Sequence, residues 1–455
     1  MVSLCMHCIE AWAMRWPLNR PSPTDMTIIT KRHAQIGLLM VGAALVVGTI
    51  RAETLVVSAA RMLDVENGSV TGPVHVVIRD GLIESINPER LPADARLLEL
   101  GDRTLMPGLL DMHTHLTMDY FTGSNWVTAP VFQSATDWAI MGVQFAEQTL
   151  QAGFTTVRDV GAWPGFPDVA LMRAIDRGTV PGPDIWPSGH FISMTGGHCD
   201  VTGFAPGIQE LGPKQGIADG VDEVIKAVRY QAKHGVRVIK VCATAGVFSF
   251  SNNAPVGALQ YSLEELEVIV REATKLGLKV AAHAHGTEGI NTAVRAGVSS
   301  IEHGSVLSDE SLELMKKHGT YLVPNLYIQG LPLPPETPPT TVAKSEYLRP
   351  LIVQSLQKAY KAGVKMAFGT DACIFPHGQN GKEFLALVAS GVSELHALKM
   401  ATIYAADLLG VDDRGVIAVG KRADLVAVPG NPLTDIRVME DVRFVMKLGK
   451  VYRQE

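Results

Sequence analysis

Two histidines stand one residue apart in the apolar run PGLLDMHTHL. Side chains two apart on a strand share a face, so His113 and His115 project together. A core strand has no need of two imidazoles, and a pair in this spacing suits a metal. Lys240 lies inside VRVIKVCA, a second run that reads as a buried strand. An unpaired ammonium there is costly, and burial favours the neutral amine. Two readings stay open for it. One is a buried salt bridge to an acid such as Asp371. The other is a neutral amine that captures carbon dioxide as a carbamate able to bridge two metal ions. His283 ends LKVAAHA, His303 ends SSIEHG and Asp371 ends MAFGTD. Imidazole and carboxylate donors suit Zn²⁺ first, with Mn²⁺, Co²⁺ and Fe²⁺ also served. Six donors exceed one tetrahedral zinc, so the economical expectation is two divalent metal ions sharing a hydroxide.

These residues need a scaffold that brings them to one place. From residue 150 onward the chain repeats a helix-like segment, a glycine and a short apolar strand. The glycines are Gly153, Gly235, Gly277, Gly297, Gly319 and Gly363, each placed where a helix ends in the left-handed conformation. The strands are continuously apolar, as in a parallel sheet covered on both faces. In YSLEELEVIVREATKLG, Ser262 and Glu265 form a capping box, and Leu266, Ile269, Val270 and Ala273 form the apolar stripe. With LLDMHTHL and DIWPSGHFI added, the count reaches eight strands. The expected fold is α/β: a (β/α)8 TIM barrel over 108–409, its chemistry at the C-terminal mouth. An open doubly wound sheet is the alternative, but no GxGxxG follows the first strand. The flanks, 53–107 plus 410–455, are strand-rich and too short to stand alone. They are expected to pair into a composite β-sandwich domain. The segment 331–341, LPLPPETPPTT, is too proline-rich for a helix or central strand and reads as a loop on the active-site side. The glycine-rich stretch 195–220 reads as another.

The 455 residues carry a formal charge of −6 and are 47% hydrophobic. That balance gives no footprint for nucleic acid. Lys31 and Arg32 precede an apolar run at 36–50, and Ala52 follows. Residues 1–52 therefore read as a secretory signal with an over-called extension upstream of Met26. The run is shorter than a membrane span needs. The expectation is an exported chain, periplasmic or secreted, with no stable membrane span after processing. Cys5 and Cys8 fall in the removable part. Cys199, Cys242 and Cys373 remain, an odd number at wide spacing, which reads as no disulfide framework. Cys242 and Cys373 follow ligand positions by two and are expected to line the pocket wall.

His-x-His on strand one, Lys on strand four, His on strands five and six and Asp on strand eight resemble the binuclear metal-dependent amidohydrolase superfamily. The strings TGGHCD, AAHAHG, IEHG and GTDA, and the tail GVIAVGKRADLVAVPGNPLTDI, resemble one branch of it. That branch holds Xaa-Pro dipeptidases, imidazolonepropionase-like proteins and the fungal ochratoxinase. The resemblance implies that His113, His115 and Asp371 bind the first metal, that His283 and His303 bind the second, and that carboxylated Lys240 bridges them. It implies hydrolysis of an amide bond in a dipeptide-like, N-acyl amino acid or aryl amide substrate. Asp371 would act as general base and then acid. It also implies a homo-oligomer. Hydrolysis of a cyclic amide is the alternative, followed by a non-catalytic metal-binding role. His198 resembles a family histidine that contacts substrate; as a plain turn residue it would bond to backbone. His285 shares the face of His283 and could act on substrate or line the pocket. Tyr327 and His377 are further candidates for substrate contact.

Overall fold

The computed structural model describes residues 53–120, 128–249, 255–333, 335 and 337–455. The signal-like segment 1–52 lies outside them.

The barrel strands are β1 (Leu109–Thr114), β2 (Phe154–Asp159), β3 (Asp184–Pro187), β4 (Val238–Cys242), β5 (Lys279–Ala284), β6 (Ser300–His303) and β7 (Tyr321–Val323). All neighbours pair in parallel, β1–β2–β3 in one sheet and β4–β5–β6–β7 in another. The two sheets close into a ring through a bridge between Ile192 and Val241 and through an extended segment at 366–372. That segment takes the place of the eighth strand. Ala367 N–H donates to Leu322 O on β7 at 3.0 Å, and Met112 N–H on β1 donates to Phe368 O at 2.8 Å. The expected eighth strand is thus an irregular stave, joined to its neighbours by isolated bridges at Met366 and Ala372, and Asp371 within it takes a φ of 60°.

Alternation along β1 separates two jobs. Leu110 and Met112 face outward and pack with Ala405 and Leu408 of the helix Ile403–Leu409. Asp111 and His113 take the other face. On β4, Ile239 and Val241 join the main apolar layer between sheet and helices, which leaves Lys240 inside the ring. The helix-ending glycines Gly235, Gly297, Gly319 and Gly363 all take positive φ. Each stops a helix and turns the chain into the next strand. The helix Leu263–Lys275 begins with the expected reciprocal cap: Glu265 N–H donates to Ser262 Oγ, and Ser262 N–H to Glu265 Oε2. Such a cap contributes about 1 kcal/mol.

Strands from both flanks form two further sheets. One has four strands, with Leu55–Ala59 and Val74–Arg79 at its centre. The other has six, and in it Arg103–Pro107 runs antiparallel to Leu425–Pro429. Val57, Val76, Leu105, Leu425 and Phe444 share one apolar cluster, so residues far apart in sequence close a common core. The segment 331–341 departs from expectation at its end. A helix starts at Pro339 and runs to Ala362. Proline is tolerated in a first turn, where its missing N–H has no partner to lose.

Candidate metal centre

His113 and His115 reach the same oxygen of Asp371. Their Nε2 atoms lie 3.3 and 3.2 Å from Asp371 Oδ1. Their other ring nitrogens point away, His113 Nδ1 to Glu302 Oε2 at 2.8 Å and His115 Nδ1 to Gly161 O at 2.9 Å. Those outer partners fix the tautomer that presents Nε2 to the cavity. His283, His285 and His303 form a second set. In each set the three potential donor atoms lie within 4.8 Å of one another. The sets adjoin, with the His113 and His303 rings 5.2 Å apart. His303 and Asp371 both take left-handed backbone, φ 69° and 60°, a conformation that costs a non-glycine residue on the order of 1 kcal/mol or more. It turns both side chains into the mouth of the ring.

Lys240 lines the same cavity and is 2% exposed. Among the described residues it forms no ion pair with Asp371 or any other acid. The salt-bridge reading of Lys240 is therefore not what the structure shows. Burial lowers its ammonium to about 8, against the pull of Glu302 and Asp371. Burial also holds His115, His283 and His303 below the ordinary imidazole range, which keeps them in the neutral form that ligates. For Asp371, burial pushes the carboxyl up, but His113 and His115 outweigh it and draw it well below the usual range. His283 Nε2 is buried without a hydrogen-bond partner. An orphan ring nitrogen beside neutral imidazoles and an ionised carboxylate is a donor set that fits divalent metals.

Residues 104–452 match the Amidohydrolase family. The chain belongs to that family. This amidohydrolase is 36% identical to the ochratoxinase of Aspergillus niger over 379 residues, 77% of this chain and 75% of the relative. A solved Xaa-Pro dipeptidase with methionine bound in its active site superposes with a TM-score of 0.83 at 36% identity, covering 88% of this chain and all of that one. A prolidase complexed with N-methylphosphonate-L-proline gives 0.78 at 34% identity, covering 88% and 100%. The chain is a hydrolase acting on amide carbon–nitrogen bonds, of a metal-dependent family.

The amidohydrolase cavity encloses about 150 Å³ and is walled by Trp163, Phe191, Phe248 and Ile328. His198 comes into it, its ring stacked on His283 at 4.1 Å. His285 comes in as well and sits 4.9 Å from His303, with its Nδ1 taken up by Ser305 Oγ. Two expected substrate contacts do not. Tyr327 stands edge-on to Phe375, its backbone N–H bound to Glu383 Oε2, while the next residues Ile328 and Gln329 line the cavity. A short 3-10 turn, Tyr327–Gly330, swings Tyr327 aside. His377 is stacked on Phe145 at 4.3 Å, and its Nε2–H donates to Met118 O at 3.1 Å. It belongs to the packing behind the site.

The cysteines also differ from expectation. Cys199 and Cys242 are joined in a disulfide, with Cα atoms 6.3 Å apart. Cys199 lines the cavity and Cys242 is wholly buried, so Cys242 is no pocket wall. Cys373 is a free thiol on the wall, as expected.

Glu302 is the residue that sequence reasoning passed over. It holds His113, and it is held by Arg158 Nη2 at 2.8 Å and by Ser300 Oγ. Burial would raise its carboxyl, but Arg158 and His113 bring it down to about 2. Strict alternation would aim Glu302 outward once His303 faces inward. The positive φ of His303 breaks that alternation, so both point in. A charged residue in the buried run SSIEHG was the available signal.

Proposed function

We propose that this chain hydrolyses the amide bond of a dipeptide or N-acyl amino acid with apolar or aryl groups flanking the bond. Two divalent metals, zinc first, would be held by His113, His115 and Asp371 on one side and by His283 and His303 on the other. Lys240, carboxylated, would join the two sides. The observation that carries this is a buried lysine that forms no ion pair among the described residues and lines one cavity with two sets of potential metal donors. When bound, the metals supply Lewis acidity, which stabilises charge at a carbonyl oxygen and acidifies water. Asp371 accepts a proton from the attacking water at its carboxylate and returns it to the departing amine nitrogen. His198 and His285 face the substrate and can hydrogen-bond to it. Trp163, Phe191, Phe248 and Ile328 bury its apolar flanks and exclude water. His113 stays oriented throughout because Glu302 holds its Nδ1–H.

Carbon dioxide adds to the neutral Lys240 amine to give the carbamate and one proton. Export after processing near Ala52 and assembly as a homo-oligomer belong to the same reading. N-terminal sequencing and light scattering test them. Cyclic amides are the weaker alternative, since the dipeptidase and prolidase reported above are named for open-chain substrates.

The test is a screen of Xaa-Pro dipeptides and N-acyl-phenylalanines with chelated and zinc-loaded enzyme, together with elemental analysis. Turnover that disappears with the metal and returns with it is expected. Full turnover by metal-free enzyme would overturn the proposal.

A further inference from the structure

Several independent contacts converge on His198. Its backbone N–H donates to Gln260 Oε1 at 3.0 Å. Its Nδ1 lies 2.9 Å from Ser249 Oγ, which also accepts Gly246 N–H at 2.8 Å. The ring rests directly on Gly246, where an added β-carbon would stand 2.4 Å from the imidazole. On its other side it stacks on His283. The next residue, Cys199, is bonded to Cys242, which ends β4 two residues after Lys240. The bond therefore ties the chain beside one cavity histidine to the strand that carries Lys240. Beyond it the support thins, since residues 201–211 are all half-buried or exposed.

We propose that the Cys199–Cys242 disulfide is a positioning device: it holds His198 over the metal cavity, and full activity requires the two thiols to be oxidised. The inference rests on the amide-hydrolase reading and deepens it by coupling the site to redox state. On oxidation the two thiols lose two protons and two electrons, and one S–S bond forms. The acceptor is a protein or small-molecule disulfide, which leaves as two thiols. Reducing compartments leave such pairs open, and oxidising ones close them. An enzyme built this way is weak where it is made and gains full activity where the pair is oxidised.

The experiment uses the full, zinc-loaded enzyme, oxidised or reduced with a water-soluble phosphine, and an N-acyl-phenylalanine or Xaa-Pro substrate. Wild type is compared with Cys199→Ala/Cys242→Ala, with His198→Ala and with the triple variant. Zinc content, kcat, KM and amide exchange of 194–200 are read on each sample. Reduction, or the double alanine change, should lower kcat/KM by about 10- to 100-fold at unchanged zinc content. In the His198→Ala background the same reduction should cost less than about twofold, because the group it positions is gone. Exchange at 194–200 should quicken by about tenfold or more on reduction. A purely stabilising bond would lower activity equally with and without His198, and that result overturns the proposal. So does an unchanged kcat/KM in reduced wild type. If no substrate is turned over even by oxidised enzyme, the amide-hydrolase reading fails. Exchange then judges the clamp alone: faster exchange on reduction supports it, and unchanged exchange overturns it.

Discussion

Metal-free enzyme should regain activity at a rate set by the free amine of Lys240. Only the neutral amine adds carbon dioxide, so its titration governs carbamate formation. The buried ammonium titrates at about 8 instead of 10.5. At pH 7 that leaves about one molecule in eleven neutral, against about one in three thousand for an ordinary lysine. The sign follows directly. Below about 8 the amine is mostly charged and the rate climbs with pH; above it the amine is already free and the rate levels off. At fixed dissolved carbon dioxide and excess zinc, recovery should quicken about ninefold from pH 6 to 7 and less than about twofold from pH 8 to 9. An unperturbed lysine would give about tenfold over both intervals. Burial shifts His115, His283 and His303 below the ordinary imidazole value, so their titration moves away from the pH 8 to 9 interval that separates the two cases. The assay is stopped-time amide hydrolysis after metal and bicarbonate are added to chelated enzyme. A tenfold rise persisting from pH 8 to 9 would refute the reasoning, as would wild-type recovery by Lys240→Ala.

Three further outcomes are expected. Asp371→Asn keeps an oxygen donor but loses the proton acceptor, so kcat should fall by about 10²- to 10⁴-fold with metal retained; full activity with normal metal content would remove Asp371 from proton transfer. Glu302→Gln weakens the hold on His113 Nδ1 and should reduce zinc affinity by about 10- to 100-fold in a metal titration, where an unchanged affinity contradicts the assignment. Gly246→Ala places a methyl group against the His198 ring. It should lower kcat/KM by about 10-fold or more while the zinc stays bound, and a neutral effect would mean that His198 does not rest there during turnover.

Why some of this was legible in the sequence and some was not has a physical basis. His113, His115, Lys240, His283 and Asp371 stand out because each is polar in a run otherwise fit only for burial. Lys240, His283, His303 and Asp371 each follow a helix-ending glycine by five to eight residues, which puts them at one depth of a barrel. Glu302 escaped because strict alternation beside an inward His303 would aim it outward, and the left-handed backbone that suspends alternation leaves no mark in the sequence. The Cys199–Cys242 bond escaped because its partners are 43 residues apart and a third cysteine makes the count odd. Tyr327 and His377 were placed by their distance from a strand end. That distance says nothing of direction once the chain has turned through a 3-10 helix or packed against Phe145. The eighth strand was expected from its apolar letters. It forms only isolated bridges, and Asp371 within it takes a φ of 60° that no propensity announces.

The central claim is that two metal ions sit across this cavity with Lys240 between them. Anomalous diffraction from crystals of active, unchelated enzyme tests it most directly. Two transition-metal peaks roughly 3.5–4 Å apart are expected, one among His113, His115 and Asp371 and one beside His283 and His303, with carbamate density on Lys240. A single peak, or active crystals with none, would contradict it.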